Sequence, residues 1–156
     1  MLAHEAAIRL GVFLAVLLAL IALERVRPWR AVRPLGMRRW PHNLGLAVLG
    51  SVLVRAVVPA AAVGAALWAE GRGIGLFPAL GAPGWVAIPL SILLLDLLIY
   101  WQHRITHMVP VLWRLHRVHH ADPEIDATTG LRFHPVEILL SMGLKMAAVV
   151  VLGAPA

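Results

Sequence analysis

Four apolar stretches punctuate the chain. Residues 10–23 (LGVFLAVLLALIAL) form an uncharged run of 14, which reaches back to Ala6 if Arg9 extends its guanidinium toward an interface. The second starts near Asn43 and ends about Trp68, interrupted by Arg55 and Pro59; the third, Gly84 to Gln102, holds one charge, Asp96. The fourth begins around Ile138, carries Lys145 and is still apolar at Ala156. Crossing a bilayer core takes about 20 helical residues, so this pattern predicts an all-α membrane bundle of about four spanning helices. The first stretch is read as a retained helix rather than a signal peptide, because Glu24-Arg25-Val26-Arg27 follows it in place of a small-x-small cleavage site.

The fourth stretch is short for its task. From Lys145 to Ala156 there are 12 residues, roughly 18 Å of helix at 1.5 Å per residue, against about 30 Å of hydrocarbon. A helix begun at Ile138 would just span, with Lys145 near mid-bilayer at a cost of a few kcal/mol. Placing Lys145 at the inner edge avoids that cost. The expectation is then a single membrane domain over residues 1–156 that is C-terminally incomplete and stops inside a helix.

The connectors set an orientation. Arg25, Arg27, Arg30, Arg33, Arg38 and Arg39 lie between the first two stretches, where Pro28, Pro34 and Pro41 are expected to keep the chain irregular. Arg104, Arg114, Arg117 and Arg132 lie between the last two, whereas the glycine-rich residues 70–83 hold only Arg72. By the positive-inside rule both arginine-rich connectors are cytoplasmic and the N-terminus is outside.

Composition agrees with a membrane protein. The 156 residues are 60% hydrophobic and 14% charged, against about a quarter charged in soluble domains. The net charge of +6 suits an anionic membrane surface, and hydropathy argues against a nucleic-acid partner. Zero cysteines exclude a disulfide scaffold, an iron–sulfur cluster and thiol catalysis. The arginine-, alanine- and proline-rich composition points to a bacterial inner membrane.

Six of the eight histidines fall between positions 103 and 134. They read His103-x3-His107, then His116-x2-His119-His120, then Arg132-x-His134-Pro135-x-Glu137. An i, i+4 pair places two rings on one helical face, so His103 and His107 extend the third apolar helix, which Pro110 ends. A short helix over about Val111 to Ala121 carries the next three rings within a narrow arc before Asp122-Pro123 stops it. A lone interfacial histidine is ordinarily an amphipathic anchor, which suffices for His4 and His42. Six within 32 residues point instead to metal, since imidazole suits iron, copper, zinc and nickel. A zinc-protease H-E-x-x-H helix is excluded because Arg104, Ile105 and Thr106 occupy the intervening positions. A bis-histidine haem would want ligands deep in the bilayer, not at its edge. A site rich in imidazole and free of thiolate could hold two ions, and a pair of non-haem irons activating dioxygen fits it.

Asp96-x3-Tyr100-Trp101-x-His103-Arg104-x2-His107, then Leu112-Trp113-x2-His116-x2-His119-His120, then Arg132-x-His134-Pro135-x-Glu137 resembles the fatty acid hydroxylase/sterol desaturase superfamily across residues 96–137. That resemblance implies an integral membrane di-iron oxidoreductase, hydroxylating or desaturating a lipid with O2 and an external electron donor. It implies His103, His107, His116, His119, His120 and His134 as iron ligands. The family's further H-x2-H-H box is absent here, which agrees with the expected incompleteness. A non-catalytic metal-binding membrane protein and an inactive fragment remain the alternatives.

Three further groups bear on the site. Asp96 lies seven residues before His103, about 10 Å below it on the same face; it either orients a histidine through its carboxylate or pairs with Arg55. Glu137 either orients His134 or serves as an acid at a helix N-terminus. Trp85, Trp101 and Trp113 fit an interfacial aromatic belt.

Overall fold

The computed structural model describes residues 4–28 and 36–156, and its regular elements are all helical. In order they are α1 Glu5–Val26, α2 Gly36–Val57, α3 Ala61–Glu70, α4 Leu76–Ala79, α5 Gly84–Met108, α6 Pro110–His120 and α7 Pro135–Leu152, with a 3-10 turn at Thr129–Leu131 before α7. Four stretches are long and apolar enough to cross a membrane: Ala7–Val26, Arg38–Glu70, Gly84–Met108 and Pro135–Leu152. The all-helical, four-span expectation therefore holds, with α2 and α3 sharing the second span.

Several boundaries differ from the expected ones. Helix α2 begins at Gly36 and carries Pro41 inside it, so Arg38 and Arg39 are helical rather than part of an irregular connector. Proline forfeits one backbone hydrogen bond there, and side-chain bonds from Arg39, Trp40 and Asn43 to the loop before α7 hold that end of the helix in place. Arg30, Arg33 and Pro34 lie outside the described residues. Pro59 separates α2 from α3, as the steric restriction on a residue preceding proline leads one to expect. Helix α5 continues past Gln102 to Met108, giving 25 residues, or about 37 Å. Against a core of about 30 Å, its last turn or so projects beyond the hydrocarbon.

Helix α7 corrects the reading of Lys145. It starts at Pro135, three residues earlier than expected, and ends at Leu152, where Gly153 takes a left-handed conformation (φ 62°, ψ 44°) and its N–H bonds to the Val149 and Val150 carbonyls. Lys145 thus sits mid-helix and partly exposed, and the helix ends at Leu152 rather than running on at Ala156. Proline is well suited to the first helical position and glycine to the position after the last, so two local signals fix an 18-residue element.

Helix α7 packs against α2, α3 and α5. Lipid gives apolar helices no reason to prefer each other, so close packing of small residues must hold them together. Ala62, Ala65 and Ala66 of α3 meet Val149 and Leu152 of α7, with Leu95 of α5 alongside. Gly50 is buried on α2 where a side chain would strike Ile138. Gly75 (φ 125°) and Gly153 bring two backbones into direct contact, with room for no Cβ on either. Helix α1 stands apart, its spanning stretch wholly unburied; Arg25 lies over the Trp40 ring at 5.7 Å. A helix apolar all round is suited to lipid on every side.

Candidate metal centre

Two pairs of histidines at i, i+4 spacing face each other across one turn. Val109 is extended (φ −96°, ψ 115°) ahead of Pro110, as a residue before proline prefers, and this folds α6 back onto the end of α5. His103 and His107 from α5 then meet His116 and His120 from α6, each offering a ring nitrogen within 4.8 Å of all the others. The Nε2 atoms of His103 and His107 are 3.1 Å apart, and those of His116 and His120 are 3.2 Å apart. Two nitrogens bound to one ion at about 2.1 Å, with bond angles of 90–109°, lie about 3.0–3.4 Å from each other. The donor set therefore fits a metal ion.

The outward ring nitrogens explain how His116 and its neighbour His119 are held. His116 is 1% exposed, and its Nδ1 lies 2.6 Å from Glu137 Oε1. A carboxylate accepts, so Nδ1 carries the proton and Nε2 presents its lone pair to the cluster; ligating histidines are commonly anchored this way. His119 does the same through backbone: Nδ1 donates to the Arg132 carbonyl at 3.2 Å, and the ring stacks on Phe133 at 4.6 Å. Desolvation, then the imidazoles of His119, His116, His107 and His103, hold His120 below the ordinary histidine range, which favours the neutral, lone-pair-bearing form. Trp113 packs over the rings, 5.3 Å from His107 and 5.7 Å from His120.

The other expected residues lie elsewhere. His119 flanks the four, 5.0 Å from His120 between ring centres. His134 caps α7, its Nδ1 accepting the Val136 N–H at 3.2 Å. Glu137 stands in the first turn of α7, yet its carboxylate goes to His116 rather than His134; its second oxygen is buried with no hydrogen-bond partner among the described residues. Asp96 is exposed and pairs neither with a histidine nor with Arg55 among the described residues. Trp85 and Trp101 are exposed, as residues of an aromatic belt would be.

A polar knot beside the cluster was missed from the sequence. Asp126 accepts from Arg39 (2.7 Å), Trp40 (3.1 Å) and the backbone N–H of Thr128 and Thr129. Asp122 accepts from Arg39, from Asn43 (3.0 Å) and from Thr129 (2.9 Å). Asn43 is wholly buried and uses both ends of its amide: Nδ2 also donates to Thr128 Oγ1 (2.9 Å), and Oδ1 accepts from Arg132 (3.2 Å). Burial alone would raise the Asp122 pKa, but bonds from Asn43, Arg39, Thr129 and the Glu124 N–H outweigh it and leave the carboxyl below its usual range. One signal was available: Arg39 and Asn43 are i, i+4 on a single face at the mouth of an apolar helix.

An apolar cavity of about 250 Å³ lies between α5, α6 and α7, walled by Ile105, Leu112, Leu115 and Leu140, with Gln102, Thr106 and Glu137 as its polar members. It shares Glu137 with the histidine cluster.

No solved structure matches the chain. A family match is found over the part of the chain that holds six of its eight histidines. Residues 88–156 match the model of the fatty acid hydroxylase family, consistent with the fatty acid hydroxylase/sterol desaturase superfamily that residues 96–137 resemble.

Proposed function

We propose that this chain forms part of an O2-dependent, non-haem di-iron oxidoreductase that hydroxylates or desaturates a membrane lipid. The observation that carries this reading is the convergence of His103, His107, His116 and His120 at the end of a membrane-spanning helix. These four are the donors proposed for one iron. His119, with Nδ1 anchored on the Arg132 carbonyl, and His134 complete the proposed ligand set. Bound iron would supply dioxygen activation with electrons from an external donor. The chain's own residues do the rest. Glu137 fixes the ring of His116, Trp113 shields one side of the cluster from water, and the cavity walled by Ile105, Leu112, Leu115 and Leu140 receives the lipid chain. Excluding water there protects a reactive centre from side reactions.

The histidine end is proposed to face the cytoplasm of a bacterial inner membrane, because the connectors at that end carry ten arginines against one at the other. Lipid extracts from cells expressing the gene, compared with cells expressing a His116→Ala variant, test the activity. A lipid that gains one oxygen or loses two hydrogens only with the wild type supports it; identical lipid profiles overturn it. A non-catalytic metal-binding protein is the second reading, favoured by the convergence of four donors rather than six. It predicts bound metal with no O2 consumption.

A further inference from the structure

The buried polar knot joins α2 to the histidine segment and yet contributes no group to the cluster. Its densest residue is Asn43, at 0% exposure, which makes three side-chain bonds, to Asp122, Thr128 and Arg132. Placing a fully buried amide at the mouth of a membrane helix is costly unless each polar atom is satisfied, and here each is. Arg132 spans two elements in the same way. Its Nε donates to the Val118 carbonyl on α6 (2.7 Å), its Nη1 donates to Asn43 on α2, and its own carbonyl accepts from His119 Nδ1.

We infer that Asn43 and Arg132 are positioning residues of the metal centre. Asn43 fixes the Arg132 side chain, and Arg132 through its carbonyl fixes the Nδ1 edge of the His119 ring, whose centre lies 5.6 Å from that of His116 and 5.0 Å from that of His120. The inference rests on the metal-centre reading for its purpose, but not for its geometry. The guanidinium is held by Val118 and Asn43 and the backbone N–H by the Thr129 carbonyl (3.0 Å), which leaves the Arg132 carbonyl little freedom. A carbonyl held in place selects one imidazole tautomer, because it can only accept. Without that anchor the ring is free to exchange tautomers and to rotate about the Cβ–Cγ bond, away from the face it shares with His116. Sequence distance conceals the link, since Asn43 lies 89 residues before Arg132.

The test uses the whole chain in detergent, with two variants and one control. Asn43→Leu removes all three bonds. Arg132→Lys keeps the charge but not the fork that reaches Val118 and Asn43 together, and it leaves the Arg39, Asp122 and Asp126 contacts in place, so folding is retained. Ser141→Ala removes a different interhelical bond, Ser141 Oγ to Gln102 Oε1 at 3.1 Å, without touching the knot. Nitrogen NMR of the metal-free protein reads the His119 tautomer, and a cobalt(II) titration reads affinity. Wild type and Ser141→Ala should show His119 protonated at Nδ1. Both knot variants should lose that fixed tautomer and bind cobalt about tenfold more weakly, in line with losses on removing partners that orient ligands. An unchanged tautomer in both knot variants overturns the inference, even if their thermal stability falls. A wild type that takes up no cobalt, with the tautomer still shifting in the variants, supports the tether and instead removes the metal-centre reading.

Discussion

Glu137→Ala strips the carboxylate that accepts from a ring nitrogen on the most deeply buried histidine of the cluster. His116 is 1% exposed and its bond to Glu137 is 2.6 Å long. A buried donor left unsatisfied costs about 1–3 kcal/mol. At about 1.4 kcal/mol per factor of ten, that is roughly a 5- to 150-fold loss of metal affinity if the penalty falls on the geometry needed for binding. Glu137→Gln separates shape from charge. The amide oxygen still accepts from Nδ1, so only the charge-assisted part of the bond is lost, about 1 kcal/mol or roughly fivefold. The second carboxylate oxygen has no hydrogen-bond partner among the described residues, so the amide nitrogen replaces one unsatisfied polar atom with another and breaks no existing bond. Cobalt(II) titration against a competing chelator, on purified protein in detergent, gives the three affinities in order: wild type, then Gln, then Ala. An Ala variant indistinguishable from wild type would refute the claim that Glu137 orients His116 for a metal.

Other consequences are equally direct. Single cysteines at the exposed positions Leu80 and Ile125 report topology without interference from native thiols: an impermeant reagent applied to intact cells should label Leu80→Cys and spare Ile125→Cys, and the reverse pattern overturns the proposed orientation. Gly153→Ala should lower thermal stability by more than about 1 kcal/mol, because its φ is 62° and a Cβ would lie 2.6 Å from Pro78 Cδ. Gly11→Ala, mid-helix with nothing within 4 Å, should be neutral or gain up to about 1 kcal/mol, and equal effects at the two sites would contradict the packing. Asp122 has a depressed pKa, so its contribution to loop docking is fully present above the unfolded value of about 4 and is lost as pH falls through the lower folded value. Hydrogen exchange in residues 122–132 should therefore stay slow down to about pH 5 and rise only in stronger acid; a rise between neutrality and that point contradicts the assignment.

The elements carrying strong local signals were legible from sequence. Uninterrupted apolar runs marked the spans, Pro110 marked the break between α5 and α6, and the i, i+4 and i, i+3, i+4 histidine spacings marked rings sharing a face. Boundaries were less legible where tertiary contacts overrode local preference. Pro41 read as a helix breaker, but Arg39, Trp40 and Asn43 on either side of it dock on the loop before α7. Lys145 read as an edge residue because burying a charge is costly, whereas Pro135 and Gly153 set the ends of α7 and leave Lys145 in its middle. Within the site, spacing could not say which neighbour each carboxylate meets. Glu137 is three residues from His134 yet turns to His116, 21 positions away, because α6 packs on α7. The knot joins Asn43 on α2 to Arg132 in the loop before α7, which no local pattern encodes.

Iron content tests the central claim most directly. Protein purified after anaerobic exposure to iron(II) and removal of loosely held metal should retain at least about one ion per chain, as four convergent imidazoles require. His103→Ala and His116→Ala should retain almost none, with His4→Ala matching the wild type. Iron retained equally by all four proteins, or by none of them, would contradict the account.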